Sequence, residues 1–494
     1  MKILIAASEC SPLVKVGGIA DVIGSLPIAL KTLGIDVRVV IPFYKDLSKI
    51  ESTKVKETSI KFDNTENPIE IYQTKLPDSE VIVYMIKNEK YISNGGVYYS
   101  PENMPSPKDE LLRFAFFSKA VSDVFSYPDA IFAPDVIHCN DWHTGMIPQI
   151  IQSTHGYNLT KAPKTVFTIH NLAYQGFSKL DVAEKLGLNI KTDQTLRWDA
   201  NDDNLDFILQ GIVGSNYITT VSEKYAEEIQ TPEFGEGLED ILKSREGRLK
   251  GILNGISYEI FNPLDDEMIY KNFSINDVLA GKAANKRALQ AEINLEQNPD
   301  RPLIGIVSRL ASQKGLDLVA DSLDDIIKMG YQMVLLGTGD PQLEAKLNEC
   351  NDKDLCKMHY RAMITFSEDL ARKIYAASDI LLIPSRYEPS GLTQMIAMKY
   401  GSVPVVRATG GLYDTVQNEK TGFTFEQFSR EEMMSSLEKA FQIYSNNQQK
   451  WASIIKNCLQ QDFSWEQSAK KYALIYSRVR PDVGLNPPTA GSTL

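Results

Sequence analysis

Short apolar runs alternate with longer mixed runs along the whole chain. In the first half the apolar runs are KILIAAS (2–8), DVRVVIP (36–42), EVIVYMI (80–86), DVIHC (135–139), KTVFTI (164–169) and NYITTV (216–221). Each is rich in β-branched residues and bounded by polar or turn residues, the signature of a buried strand. Between them, LLRFAFFSKAVSDVF (111–125) and NLDFILQGIVGS (204–215) carry apolar residues at helical spacing. A second series starts at RPLIGIVSRLASQKGLDLVADSLDDIIK (301–328). It continues through YQMVLLG (331–337), DILLIP (379–384) and VPVVRA (403–408), each followed by a helical pattern. The stretch from about 256 to 300 has weak periodicity and reads as a join. The alternation predicts an α/β protein of two doubly wound domains, the second starting near 256. Ligands of such sheets bind beyond the carboxyl ends of the strands, so a cleft between two facing domains is the expected site.

Bulk properties narrow the class. A length of 494 residues suits two or more domains. The formal net charge of −12 argues against nucleic acid or an anionic membrane as partner, and it makes each local group of cations informative. Five cysteines, at 10, 139, 350, 356 and 458, form no CxxC pair and are odd in number, which suits a reducing cytoplasm. The chain carries no leader pattern and no apolar run of membrane-spanning length, so a cytoplasmic protein is expected. The end, PDVGLNPPTAGSTL (481–494), is rich in Pro, Gly, Ser and Thr and is expected to be disordered.

Four stretches carry candidate chemistry. In KVGGIADVIGSLP (15–27), Lys15, Gly17 and Gly18 sit where a strand turns into a helix. The glycines permit positive φ and close backbone approach, and a helix start with bare amides attracts anions. The same stretch also fits a tight turn with a solvated lysine. SRLASQKGLDL (308–318) puts Arg309 and Lys314 in one strand-to-helix loop, where Gly315 permits a tight turn. Two cations beside a helix start make a phosphate clamp, or else a solvated basic loop. PSRYEPSGLTQMIAMKYG (384–401) places Glu388 just before a helix start. Ser390 is a candidate cap there, and the amides of Gly391, Leu392 and Thr393 are candidates for an anion. A carboxylate beside an anion site makes sense if one ligand offers both hydroxyls and phosphate; otherwise Glu388 is a surface acid. HCNDWHTG (138–145) groups His138, Asp141 and His143 at a spacing that fits a polar substrate contact by Asp141 better than zinc. TIHNLAYQG (168–176) ends a further strand with His170 and Asn171. No GxSxG elbow, Walker lysine motif or GxGxxG is present.

Taken in order with LNGIS (253–257) and TGGLYDTV (409–416), these motifs resemble those of bacterial glycogen synthases and plant starch synthases, over about residues 1 to 480. The resemblance implies the GT-B fold, two Rossmann-like domains with an interdomain cleft. It also implies a metal-free, retaining transfer of glucose from ADP-glucose to the non-reducing end of an α-1,4-glucan. On that resemblance Lys15 and the Gly17–Gly18 turn lie near the donor phosphates and the acceptor, with Asp21 among the substrate contacts. Arg309 and Lys314 bind the diphosphate and stabilise it as leaving group. Glu388 contacts the glucose hydroxyls, and the amides of Gly391, Leu392 and Thr393 contact the phosphate. His170 sits beside the transferred sugar, and Asp141, Asn171 and Asn254 line the cleft. Phe366 stands where the family usually has tyrosine and packs on the base.

The departures are Ser257 for aspartate, Ser390 for the cysteine of many bacterial members, and Arg372 for a common histidine. The resemblance divides the chain into an acceptor-side domain (1–255), a nucleotide-sugar domain (256–463) and a last helix (about 464–480) that crosses back onto the first. Hinges are expected near 256 and 460–466. The competing readings are a retaining GT-B enzyme making sucrose, trehalose or a lipid-linked sugar, and a catalytically silent glucan-binding protein. KVGGIADV speaks against the first, and the full set of phosphate and sugar residues against the second. No lysine here is marked for the pyridoxal phosphate that a glycan phosphorylase needs.

Overall fold

The computed structural model describes residues 1–98, 107–155 and 162–484. It divides into two compact units: Met1–Val221, Ala226–Gly255 and the stretch from Trp465 in the first, Ser222–Tyr225 and Ile256–Ser464 in the second. Of the tail expected to be disordered, 485–494 lie outside the described residues.

The first unit has eleven strands among its described residues: β1 (Lys2–Ala6), β2 (Asp36–Pro42), β3 (Thr53–Phe62), β4 (Thr65–Lys75), β5 (Ile82–Lys87), β6 (Val136–Asn140), β7 (Lys164–Ile169), β8 (Phe177–Lys179), β9 (Asn204–Asp206), β10 (Tyr217–Thr220) and β11 (Leu249–Gly251). Nine form one sheet in the order β11-β10-β7-β6-β1-β2-β5-β4-β3; β8 and β9 pair separately. Within the nine-stranded sheet all neighbours are parallel except the β3–β4 and β4–β5 pairs, and β8 and β9 pair antiparallel. The central strands are continuous apolar runs because both faces of the sheet are covered. The helix Gly18–Thr32 buries Ile19, Val22, Ile23, Leu26 and Leu30 in one cluster with Ile3, Ile5, Val37 and Val39. Trp465, Tyr472 and Tyr476 of the helix Trp465–Val479 join that cluster. Each such side chain contributes roughly 1.5–3 kcal/mol, so the last helix is an integral layer of the first unit.

The second unit is wholly parallel: β12 (Leu303–Val307), β13 (Gln332–Leu336), β14 (Tyr360–Met363), β15 (Ile380–Ile383), β16 (Val403–Arg407) and β17 (Phe423–Phe425), in the order β14-β13-β12-β15-β16-β17. Each sheet reverses its winding once, between β1 and β6 in the first and between β12 and β15 in the second. Such a switch point opens a crevice beyond the carboxyl ends of the strands. Glu9 and Asp141 follow β1 and β6; Arg309 and Glu388 follow β12 and β15.

Two expectations need correction. Residues 204–215 are not one helix: Asn204–Asp206 pairs with β8, and the helix runs Phe207–Gly214, because the Asp206 carboxylate accepts the Leu209 N–H and caps it there. The weakly periodic join contains a regular helix, Val278–Glu292. Its pattern is masked because it buries Lys282, Asn285, Lys286 and Gln290. The Lys282 ammonium donates to Ala376 O and Tyr400 O (both 3.1 Å) and Ser402 Oγ (3.0 Å), and Lys286 pairs with Asp379 at 2.7 Å. Among the described residues no helix is long and apolar enough to cross a membrane.

Candidate active site

In the first unit the chain leaves β1 and buries the carboxylate of Glu9, 1% exposed. One of its oxygens accepts the backbone N–H groups of Val16 (2.5 Å) and Gly17 (2.8 Å); the other accepts the Tyr98 hydroxyl (3.0 Å). This clamp shapes the loop that carries Lys15, whose ammonium pairs with Asp21 at 2.7 Å on the first turn of the helix. Neither glycine uses positive φ, contrary to the expectation: Gly17 is extended and Gly18 opens the helix. Among the described residues, the amides of Gly18 and Ile19 have no partner. A Cβ added at Gly18 would meet nothing within 4 Å. Nothing among the described residues therefore demands glycine there, and they leave the space open to a ligand.

Beyond β6, Asp141 adopts φ +54°, ψ −179°, a region that costs an L-residue on the order of 1–3 kcal/mol. Its carboxylate accepts the His170 N–H at 2.6 Å and the Asn171 N–H at 3.4 Å, joining the carboxyl ends of β6 and β7. Asn171 turns its own side-chain oxygen to the Ala173 N–H (3.1 Å). Burial, with the neighbouring Glu9 charge, pushes the Asp141 carboxyl up to about 7. Desolvation pushes His170 down to about 3, so its ring is neutral, with Nε2 2.9 Å from Asn140 Oδ1. The zinc alternative for 138–145 finds no convergence. His138 lies between the Tyr476 and Thr168 hydroxyls (2.8 and 2.6 Å), and His143 Nε2 meets the Tyr98 hydroxyl (3.1 Å). Asn254 is buried near the end of the first unit, its Oδ1 without a partner, and no hydrogen bond joins it to the others.

In the second unit Gly315 takes φ +66°, and a Cβ there would fall on the Pro384 carbonyl oxygen. Glycine thus lets the loop after β12 lie against the loop after β15. Lys314 donates to both Glu388 oxygens (2.9 and 2.7 Å), and Ser385 Oγ donates to one of them (2.9 Å). Beneath them Gly410 and Gly411 press on the Glu388 and Ser390 carbonyls, where any Cβ would collide. The backbone N–H groups of Gly391, Leu392 and Thr393 have no partner among the described residues, and Gly391 has φ +68°. Ser390 does not cap: the cap position of the helix Thr393–Lys399 falls on Leu392, and Ser390 Oγ is buried without a partner. Arg309 is exposed and its guanidinium is unpaired among the described residues. Phe366, after β14, is 86% exposed. Arg372 is buried instead, bonded to Asp266 (3.1 Å) and Glu368 (2.9 Å) and stacked over Phe261 at 4.3 Å.

Two bodies of similarity meet this geometry. The starch synthase catalytic domain model matches residues 2–244, and the glycosyl transferases group 1 model matches 290–457. Proteins named glycogen synthase are 42% identical in Geotalea daltonii, covering 97% of this chain and 99% of that one, and 40% identical in Thermotoga petrophila, covering 98% and 100%. The chain belongs to the glycogen and starch synthase family. It is a glycosyltransferase, and its two parallel α/β units are of the GT-B type. The catalytic domain of starch synthase IV from Arabidopsis thaliana, solved with ADP and acarbose, superposes with a TM-score of 0.86 at 31% identity, over 97% of this chain and 99% of that one. A sucrose-phosphate synthase from Thermosynechococcus elongatus reaches 0.59 at 17% identity, a likeness of fold alone.

Within this synthase framework three residues escaped the sequence reading: Glu9, Tyr98 and Asn140. Each acts on a segment distant in sequence. The sequence signal for two of them is position, since Glu9 follows β1 and Asn140 ends β6, on either side of the switch point.

Proposed function

We propose that this chain transfers glucose from ADP-glucose to the non-reducing end of an α-1,4-glucan, with retention at the anomeric carbon and without a metal or other cofactor. The observation that carries this reading is the second-unit constellation: Lys314 bound to Glu388 beside three free amides, with the unpaired Arg309 guanidinium on the same loop as Lys314. The cations and amides suit a diphosphate and take the place of a divalent ion. Both Glu388 oxygens keep lone pairs for sugar hydroxyls after accepting from Lys314 and Ser385. Those same bonds make Glu388 a poor nucleophile. The transfer therefore proceeds at the front face. The bond from C1 to the phosphate oxygen breaks, the acceptor hydroxyl attacks from the same side, and its proton passes to that phosphate oxygen as ADP leaves. Asp21, Asn171 and Asn254 are proposed substrate contacts, and the exposed Phe366 ring is free to stack on the base. The proposed setting is the cytoplasm, since all five cysteines are unpaired and buried.

The test is the linkage formed. With radiolabelled ADP-glucose and glycogen, the label enters polymer, and β-amylase, which cuts α-1,4 bonds from non-reducing ends, releases it as maltose. Label that resists release, or that stays in small molecules, overturns the proposal.

A further inference from the structure

We infer that Asn140 is a positioning residue that locks the His170 imidazole in its Nε2–H tautomer, leaving Nδ1 as a bare acceptor for a hydroxyl of the transferred sugar. Asn140 is the last residue of β6 and is 1% exposed. Its backbone is held at both ends by one hydroxyl: its N–H donates to Thr144 Oγ1 (2.6 Å), and its carbonyl accepts from the same group (2.9 Å). Its side-chain nitrogen faces two carbonyls, Ala6 O at 3.1 Å and His138 O at 3.2 Å. Carbonyls only accept, so the NH2 end must point to them and Oδ1 must point the other way. Oδ1 lies 2.9 Å from His170 Nε2. An amide oxygen also only accepts, so Nε2 carries the proton.

The ring has one proton to place. Desolvation keeps it neutral, so Nδ1 is unprotonated, and Nδ1 has no partner among the described residues. The other titratable groups nearby are occupied elsewhere. Asp141 takes the backbone N–H of His170 rather than the ring, His138 is bonded to Tyr476 and Thr168, and His143 to Tyr98. The ring thus offers a lone pair and no proton at its free nitrogen. A sugar group that meets it must donate, which a hydroxyl does and an ether oxygen or fluorine cannot.

The contact with a sugar rests on the transfer reading above, whereas the tautomer does not, so the two fail separately. The chain has five histidines, few enough for a two-bond 1H–15N spectrum of the full-length protein labelled at histidine, with His170→Gln to assign one set. The predicted pattern for His170 is a single Nε2–H tautomer, unchanged from pH 5 to 9. A Nδ1–H pattern, or an average of both tautomers, overturns the inference with no variant involved. Asn140→Ala is expected to release the ring into a tautomer mixture and to lower kcat about tenfold, on the order of one hydrogen bond's worth. A His170 pattern unchanged in Asn140→Ala overturns the positioning role.

Discussion

The carboxylate of Glu388 is 7% exposed and depends on Lys314 and Ser385 for its charge balance. On the proposed reading, Lys314 therefore has two separable effects. Removing a preorganised charge contact at a leaving group costs about 3 kcal/mol, on the order of a hundredfold in rate. Removing it also strands a buried carboxylate, which destabilises the fold. Lys314→Ala is expected to lose both activity and thermal stability, whereas Lys314→Ala with Glu388→Gln recovers stability and stays inactive. Equal stability in the single and double variants would deny that the pair is a buried charge pair. Gly18 makes the opposite test. Its Cβ would meet no atom of the described residues, so Gly18→Ala should hold stability to within about 0.5 kcal/mol. The same methyl would occupy the space assigned to ligand, so the donor KM should rise at least several-fold. Unchanged kinetics would remove the ligand from that helix start.

Elements show why parts of the molecule were readable in advance and others were not. Strands buried on both faces are continuous apolar runs, and Arg309, Lys314 and Glu388 fall in loops directly after such runs, so the residues proposed for phosphate and sugar in the second unit stood out. The helix Val278–Glu292 stayed hidden because its inward face uses lysine and asparagine satisfied by distant carbonyls, a tertiary fact. The role of Asn140 stayed hidden for the same reason, since Ala6 and His170 are its neighbours only once β1, β6 and β7 lie side by side, and the role of Glu9 because a buried carboxylate clamping the amides of Val16 and Gly17 leaves no periodic signal. The strand Asn204–Asp206 was missed because a cap ended a helix that the apolar spacing alone would have extended.

That cap has a measurable consequence. Burial pushes the Asp206 carboxyl up to about 7. The folded state then holds a proton that the unfolded chain releases near pH 4, so this group's stabilisation is present at low pH and is lost as pH rises toward 7. Asparagine caps about as well as aspartate but carries no charge. Asp206→Asn is therefore expected to gain on the parent by about 3 kcal/mol between pH 5 and pH 8. Melting curves at the two pH values check it, and a constant gap between the proteins would show that Asp206 does not titrate in this range.

At the scale of the whole molecule, the first unit carries Lys15, the Gly18–Ile19 amides, Asp141 and a neutral His170. The second carries two cations, a tied carboxylate and three amides. In the proposed transfer, charge on the departing diphosphate would be met by these fixed protein groups rather than by an ion recruited from solution, which would make the catalysis electrostatic in origin. The most direct measurement is glucose incorporation into glycogen from ADP-glucose and from UDP-glucose, side by side, with and without excess EDTA. The account predicts a higher kcat/KM for ADP-glucose and full activity in EDTA. A preference for UDP-glucose, or activity lost in EDTA and restored by manganese, would contradict it.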